Sequence, residues 1–257
     1  MIFDSHAHYD DERFNLDRDE LLLNLPMMGV EGVINSGSDI ASSKASIQLA
    51  EAFPYIYATV GVHPHEVKCM SESDLLGLTA LAAHKKTVAI GEIGLDFFYD
   101  HSPRETQRLW FLKQLGLARK VGLPVVIHSR DAAQETMDIL KSHHKENPQS
   151  KCAIHCYSGS APMALEYVSM GYYIGIGGAI TFDKTRRLLD VAAQVPLDKI
   201  LVETDAPYQT PKPNRGKRND SAQLVYVVEK IAEIKRIQPE KVAEATAENA
   251  REFFFVM

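Results

Sequence analysis

Eight short runs of β-branched and apolar residues recur along this chain, each followed by a longer amphipathic stretch. That alternation restricts the fold more than any single motif. The runs are MIFDSHAH (1–8), VEGVINSGS (30–38), YIYATVGVH (55–63), TVAIGEIGL (87–95), LPVVIHSR (123–130), KCAIHCYSG (151–159), YYIGIGG (172–178) and KILVETDAP (199–207). Helical periodicity covers 18–28, 40–52, 73–84, 104–121, 132–144, 161–170 and 184–193, and two more helices, 221–235 and 240–254, follow the last run. Strands alternating with helices build parallel βαβ units. Eight such units in 257 residues fit an α/β fold of the closed (β/α)8 type, a TIM-type barrel, better than an open sheet. No low-complexity stretch, long linker or tandem repeat divides the chain, so residues 1–257 read as one domain. Asp17 stands where it could cap the first helix. Ser102-Pro103 opens the 104–121 helix, and Gly122 with Pro124 ends it.

Barrels of this kind carry their chemistry at the carboxyl ends of the strands, and there this chain places its histidines and acids. The first run ends in His6 and His8, the third in His63, the fourth in Glu92 and the fifth in His128. The sixth ends in His155 and the eighth in Glu203 and Asp205. Two apart on a strand, His6 and His8 face the same way, roughly 6.5–7 Å apart along the backbone, where two imidazoles can grip one ion. Each residue alone has a plainer reading. His128 and His155 could be buried imidazoles bonded to backbone, Glu92 a solvated carboxylate, and Asp205 the opening of a turn before Ala-Pro. Packing does not explain why apolar strands repeatedly finish on His, Glu or Asp. Imidazole with carboxylate suits Zn, Mn and other first-row ions, and also accepts Mg. Six ligands exceed what one catalytic ion with an open position needs. They suit two ions about 3.5–4 Å apart that share a carboxylate. The expected arrangement puts His6, His8 and Asp205 on one ion and His128 and His155 on the other, with Glu92 bridging. Gly91 and Gly94 leave room for close backbone approach around Glu92.

A formal net charge of −6 makes the molecule as a whole repel a polyanion, so any nucleic-acid contact rests on a local basic patch and weakens with salt. PKPNRGKR (211–218) is one candidate, against the plain reading of a solvated loop. Loops after strands seven and eight often hold phosphate in such barrels. His63, Arg130, Arg215 and Lys217 are therefore the expected substrate contacts. Tyr9, Phe97, Phe98 and Tyr157 could stack on bases, with packing as their alternative role. His65, turned by Pro64, reads as a loop residue, and His84, His101, His143 and His144 as surface residues. Cys69, Cys152 and Cys156 make no disulfide framework, which suits a reducing cytoplasm. No apolar run reaches the roughly 18 residues of a membrane span, and the chain runs straight into Asp4, His6 and His8, without a signal-peptide pattern. A cytoplasmic location with no membrane contact and no obligate protein partner is expected.

The motifs DSHAHYD, GVHPH, GEIGLDFFYD, VVIHSRDA, IHCYSGS, VETDAPY, RGK and TAENAREFF follow one another across essentially the whole chain. Together they resemble the TatD family, within the wider metallo-dependent hydrolase group. The resemblance implies a TIM-type barrel, a divalent-metal centre and hydrolytic activity, most often described as deoxyribonuclease activity. With the ligand count above, two divalent metal ions (Zn, Mn or Mg) are expected, and DNA or another phosphodiester as a transient partner. By position, the family's metal ligands fall on His6, His8, Glu92, His128, His155 and Asp205, and a histidine near the metals falls on His63. Glu92 lies on the strand where many relatives in the larger group carry a carboxylated lysine, which favours the TatD branch. The family pattern expects a proline near 221, where this chain has Asp220-Ser221. In this reading Asp205 is the general base toward a water activated by the ions. The same ligands would also serve an ester or amide hydrolase, such as a D-aminoacyl-tRNA deacylase. A non-catalytic binding barrel would tolerate missing ligands, and none is missing. A structural zinc site would prefer a closed, Cys-rich shell.

Overall fold

The apolar runs become eight parallel strands paired in chain order: β1 (Ile2–Ala7), β2 (Val30–Ser36), β3 (Ile56–Val60), β4 (Thr87–Asp96), β5 (Val125–Arg130), β6 (Cys152–Ile154), β7 (Tyr173–Ile176) and β8 (Ile200–Val202). The helices are α1 (Arg18–Asn24), α2 (Ile40–Ala52), α3 (Glu72–Ala82), α4 (Arg104–Val121), α5 (Ala133–Glu146), α6 (Ala161–Ser169), α7 (Arg186–Gln194), α8 (Leu224–Lys235) and α9 (Pro239–Phe254). These come from a computed structural model that describes residues 1–256. Among them no helix is long and apolar enough to cross a membrane. The first helix is shorter than its periodicity predicts, because the chain tightens into a 3₁₀ turn over Leu25–Met28 with Pro26 near its start. Asp17 precedes α1 without capping it by a side-chain bond, and its carboxylate pairs instead with Arg218.

One apolar cluster draws a side chain from every strand: Phe3, Ile34, Tyr57, Ala89, Val126, Ala153, Tyr173 and Leu201. Only the inside of a barrel brings one residue of each strand together. Phe253 and Phe254 of α9 join this cluster and are buried, plugging the end at which the strands begin. Side chains two apart share a face. His128 after Val126, His155 after Ala153 and Glu203 after Leu201 therefore line the opposite mouth. In β1 and β4 the step is three, from Phe3 to His6 and from Ala89 to Glu92, and at both places the ladder shifts register. Such bulges re-aim a side chain at the cost of a local ladder bond. Two glycines make room around Glu92. A Cβ on Gly91 would lie 2.7 Å from that of Val126, and one on Gly94, at φ +148°, would overlap the His128 carbonyl oxygen.

The seam between β8 and β1 closes without a regular ladder. It uses a single Ala7–Ala206 bridge, Asp205 N–H donating to His6 O (2.9 Å) and His8 N–H donating to Ala206 O (2.7 Å). Behind it lies the fully buried Asp4. One of its oxygens accepts from Thr204 N–H (3.0 Å) and the other from the hydroxyls of Thr204 and Ser221, both at 2.6 Å. Ser221 N–H donates to the Tyr9 hydroxyl oxygen (2.8 Å), and that hydroxyl meets Ser221 Oγ at 2.8 Å. A proline at 221 could supply neither the N–H nor the hydroxyl. Ser221→Ala is expected to destabilise the protein by about 1–3 kcal/mol, read as a lower urea midpoint at unchanged slope. An unchanged midpoint would show that the seam is held without this serine.

Candidate metal centre

The barrel mouth brings the six expected ligands together: His8, Glu92, His128, His155 and Asp205 line one cleft of about 840 Å³, and His6 is fully buried against Glu92 beside it. Glu92 stands in the middle. Its Oε2 lies 3.3 Å from His6 Nε2 and 3.8 Å from His8 Nε2. Its Oε1 lies 2.7 Å from His128 Nδ1, 3.7 Å from His63 Nε2 and 3.8 Å from His155 Nε2. His6 and His8 Nε2 are 3.1 Å apart, and Asp205 Oδ1 is 3.5 Å from His8 Nε2 and 3.6 Å from His155 Nε2. Donor atoms about 2.1 Å from a common ion in a tetrahedron stand about 3.4 Å from one another. The spacings of His6, His8, Glu92 and Asp205 scatter around that value.

Outer contacts aim the imidazoles. His8 donates from Nδ1 to Ser36 O (3.0 Å), His6 Nδ1 meets Ser36 Oγ (3.2 Å) and His155 Nδ1 meets Glu203 Oε2 (3.1 Å). Each bond leaves Nε2 facing the centre, as a carboxylate or carbonyl behind a metal-binding histidine does. Glu203 also accepts from the Cys156 N–H. On the far side, His128 Nε2 lies 3.1 Å from Asp96 Oδ2, which also meets His65 Nε2 at 2.8 Å.

Burial opposes charge throughout this cleft, yet His155, His63 and His128 hold Glu92 well below the usual carboxylate range. Burial likewise pushes Asp205 up, and the hydrogen bond from His8 with the charge of His155 brings it down to about 2. Burial pushes His8 down, but Asp205 and Glu92 outweigh it and raise the imidazole to about 9. His6 is lowered by burial and by His155, and His63 by burial and by His128. Burial also opposes charge on His128 and His155, but Asp96 and Glu92 raise the first and Cys156, Glu203 and Glu92 the second. Ionised carboxylates among imidazoles form a donor set suited to first-row divalent ions, which displace the protons that these histidines hold.

The expected substrate contacts divide. His63 and Arg130 line the cleft, the Arg130 guanidinium lying over the rings of Phe98 (4.3 Å) and Tyr99 (4.7 Å). Arg215 and Lys217 do not line it. Arg215 sits over the Phe182 ring (4.2 Å), Lys217 turns to Asn214, and Lys212 and Arg218 of the same loop pair with Asp183 and Asp17. Tyr9 and Tyr157 are buried and offer no face for stacking, whereas the half-exposed Tyr99 and Tyr208 border the cleft. His65 does lie in a loop, but at the cleft wall, and His143 and His144 are half-buried on α5 instead of at the surface. Asp96 went unread in the sequence, although it stands four residues after Glu92 in the same strand, a spacing that returns a side chain to one face.

The chain is 39% identical over 254 residues, 99% of each protein, to the Bacillus subtilis protein named uncharacterized metal-dependent hydrolase YabD. It is 33% identical over 262 residues, 100% of each protein, to the 3'-5' ssDNA/RNA exonuclease TatD of Salmonella typhimurium. The crystal structure of YJJV, a TatD homolog from Escherichia coli K12, matches with a TM-score of 0.92 at 32% identity, covering 100% of this chain and 98% of that one. Residues 3–255 match the family described as TatD related DNase, and the chain belongs to that family of metal-dependent hydrolases.

Proposed function

We propose that this protein is a nuclease that hydrolyses phosphodiester bonds of DNA with two divalent cations held at the barrel mouth. The observation that carries the reading is the division of Glu92, one carboxylate oxygen toward His6 and His8 and the other toward His128, His155 and His63. His6, His8 and Asp205 would hold one ion and His128 and His155 the other, with Glu92 between them. Bound there, divalent ions supply Lewis-acid polarisation of a phosphoryl oxygen and a more acidic water.

The chain's own groups do the rest. Asp205 turns Oδ1 to His8 and His155, while Gln209 Nε2 donates to its Oδ2 (2.8 Å). Held ionised at neutral pH by its imidazole neighbours, it accepts the proton of the attacking water at Oδ2. Glu203 and Ser36 keep the imidazoles from rotating. His63 and Arg130 orient the phosphate that is attacked. The name of the Salmonella relative supports a single-stranded substrate.

Asp205→Asn is expected to lower kcat on single-stranded DNA by about 10²–10⁴-fold while the thermal midpoint stays within a few degrees. A fully active variant removes Asp205 from the proton transfer. Metal analysis of the purified protein, dialysed and then reloaded with Zn, Mn or Mg, should give two ions per chain and restore cleavage that chelation abolishes. Glu92→Ala should bind at most one ion. A single ion in the wild type, or cleavage that persists in chelator, would overturn the dinuclear reading. Rapid hydrolysis of D-aminoacyl-tRNA with none of DNA would place the same centre on carboxylic esters.

A further inference from the structure

A second cavity, of about 640 Å³, opens beside the catalytic cleft at the loops following β6 and β7. Cys156, Ser158 and Gln209 line both spaces, so the two are continuous at the residue that donates to Asp205. The second cavity carries Lys184, Arg186 and Arg187 against one carboxylate, Asp190. All three basic residues are exposed, and among the described residues none forms an ion pair, unlike Lys212 and Arg218 of the nearby 211–218 loop. The first turn of α7, whose leading N–H groups lack intrahelical acceptors, borders the same space. On the other side of the mouth Asp10 follows β1 and Glu66 follows β3 on the cleft wall, where Asp11 is paired with Arg13. A polyanion crossing Asp205 is thus repelled from one side and attracted to the other.

We infer that the groove formed by Lys184, Arg186 and Arg187 binds the phosphate backbone of the nucleic-acid strand next to the bond being cleaved, making these positioning residues for polymeric substrates. The inference rests on the nuclease reading and deepens it. A small diester occupies only the cleft; a strand extends into the groove and gains two or three phosphate contacts there.

The test compares wild type with the triple variant Lys184→Gln, Arg186→Gln, Arg187→Gln, after thermal melting confirms that both are folded. Binding of a fluorescent oligothymidylate of about 12 nucleotides is followed by anisotropy across a salt series, alongside turnover of the same oligonucleotide and of bis(p-nitrophenyl) phosphate. The variant should bind the oligonucleotide about tenfold more weakly at low salt, and its slope of log K against log salt should shrink by about 2, near 0.7 for each lost contact. KM for the oligonucleotide should rise while turnover of the small diester is unchanged. Equal affinity and slope in the two proteins overturn the groove, and so does an equal loss on both substrates. Failure of the wild type to hydrolyse either diester with any of the metals overturns the nuclease reading, while the binding arm tests the groove separately.

Discussion

The seam between the first and last strands holds the catalytic mouth together. Asp205 and His6 lie at the two ends of the eight-strand run, yet the Asp205 N–H donates to the His6 carbonyl at 2.9 Å. Both side chains turn to the same centre from that one backbone contact. The seam has little ladder of its own, so side chains do the work of strand pairing: Asp4 collects Thr204 and Ser221 at its two oxygens, and Tyr9 ties Ser221 from the other side. Burial raises the Asp4 carboxyl to about 6 in spite of these donors. A buried carboxylate with every oxygen bonded is costly to desolvate and more costly to leave unpaired, which makes the clasp a specific one. The same clasp holds His6 and His8 of the first strand against Asp205 after the last.

The two ends of the barrel solve opposite problems. Where the strands begin, Phe253 and Phe254 seal an apolar interior whose members come from all eight strands. Where they end, the inward positions are His, Glu and Asp, and each acquires a partner in place of apolar cover. Regular pleating delivers His128, His155 and Glu203 to that mouth. The bulges in β1 and β4 are needed for His6 and Glu92, and the two glycines flanking Glu92 let β4 press against β5 there. The mouth therefore depends on local irregularity inside an otherwise repetitive fold.

This explains what could be read in advance. Helices α2 and α4 match their expected bounds to the residue, and for α4 Pro103 at the start and Gly122 at the end set them. The meeting of His6, His8, Glu92, His128, His155 and Asp205 at one mouth was legible because polar residues at the ends of apolar runs have few other uses. Pleat arithmetic alone does not foresee the three-residue steps to His6 and Glu92, since a bulge depends on how neighbouring strands pack. Nor does it show that Ser221 is built into the seam, which requires knowing what lies across from it. The basic loop at 211–218 was the most conspicuous charge run. Folding neutralises half of it through Asp17 and Asp183, acids distant in sequence. Lys184, Arg186 and Arg187 fall within the 184–193 helical stretch, and only the fold shows that they border a cavity beside Asp205.

A net charge of −6 then ceases to argue against a polyanionic substrate. The charge that matters is local: carboxylates concentrated at Glu92 and Asp205, acids on one flank and free cations on the other. An empty nest of ionised carboxylates repels phosphate at 4 Å by about 4 kcal/mol per charge pair at an effective dielectric near 20. The two divalent ions proposed for that nest would reverse the sign of the field where a phosphate would sit. Under the proposed function, cation and substrate therefore favour each other's binding by the same free energy, as linkage requires. On that reading an acidic surface is compatible with a polyanionic substrate, because the attraction is confined to the mouth.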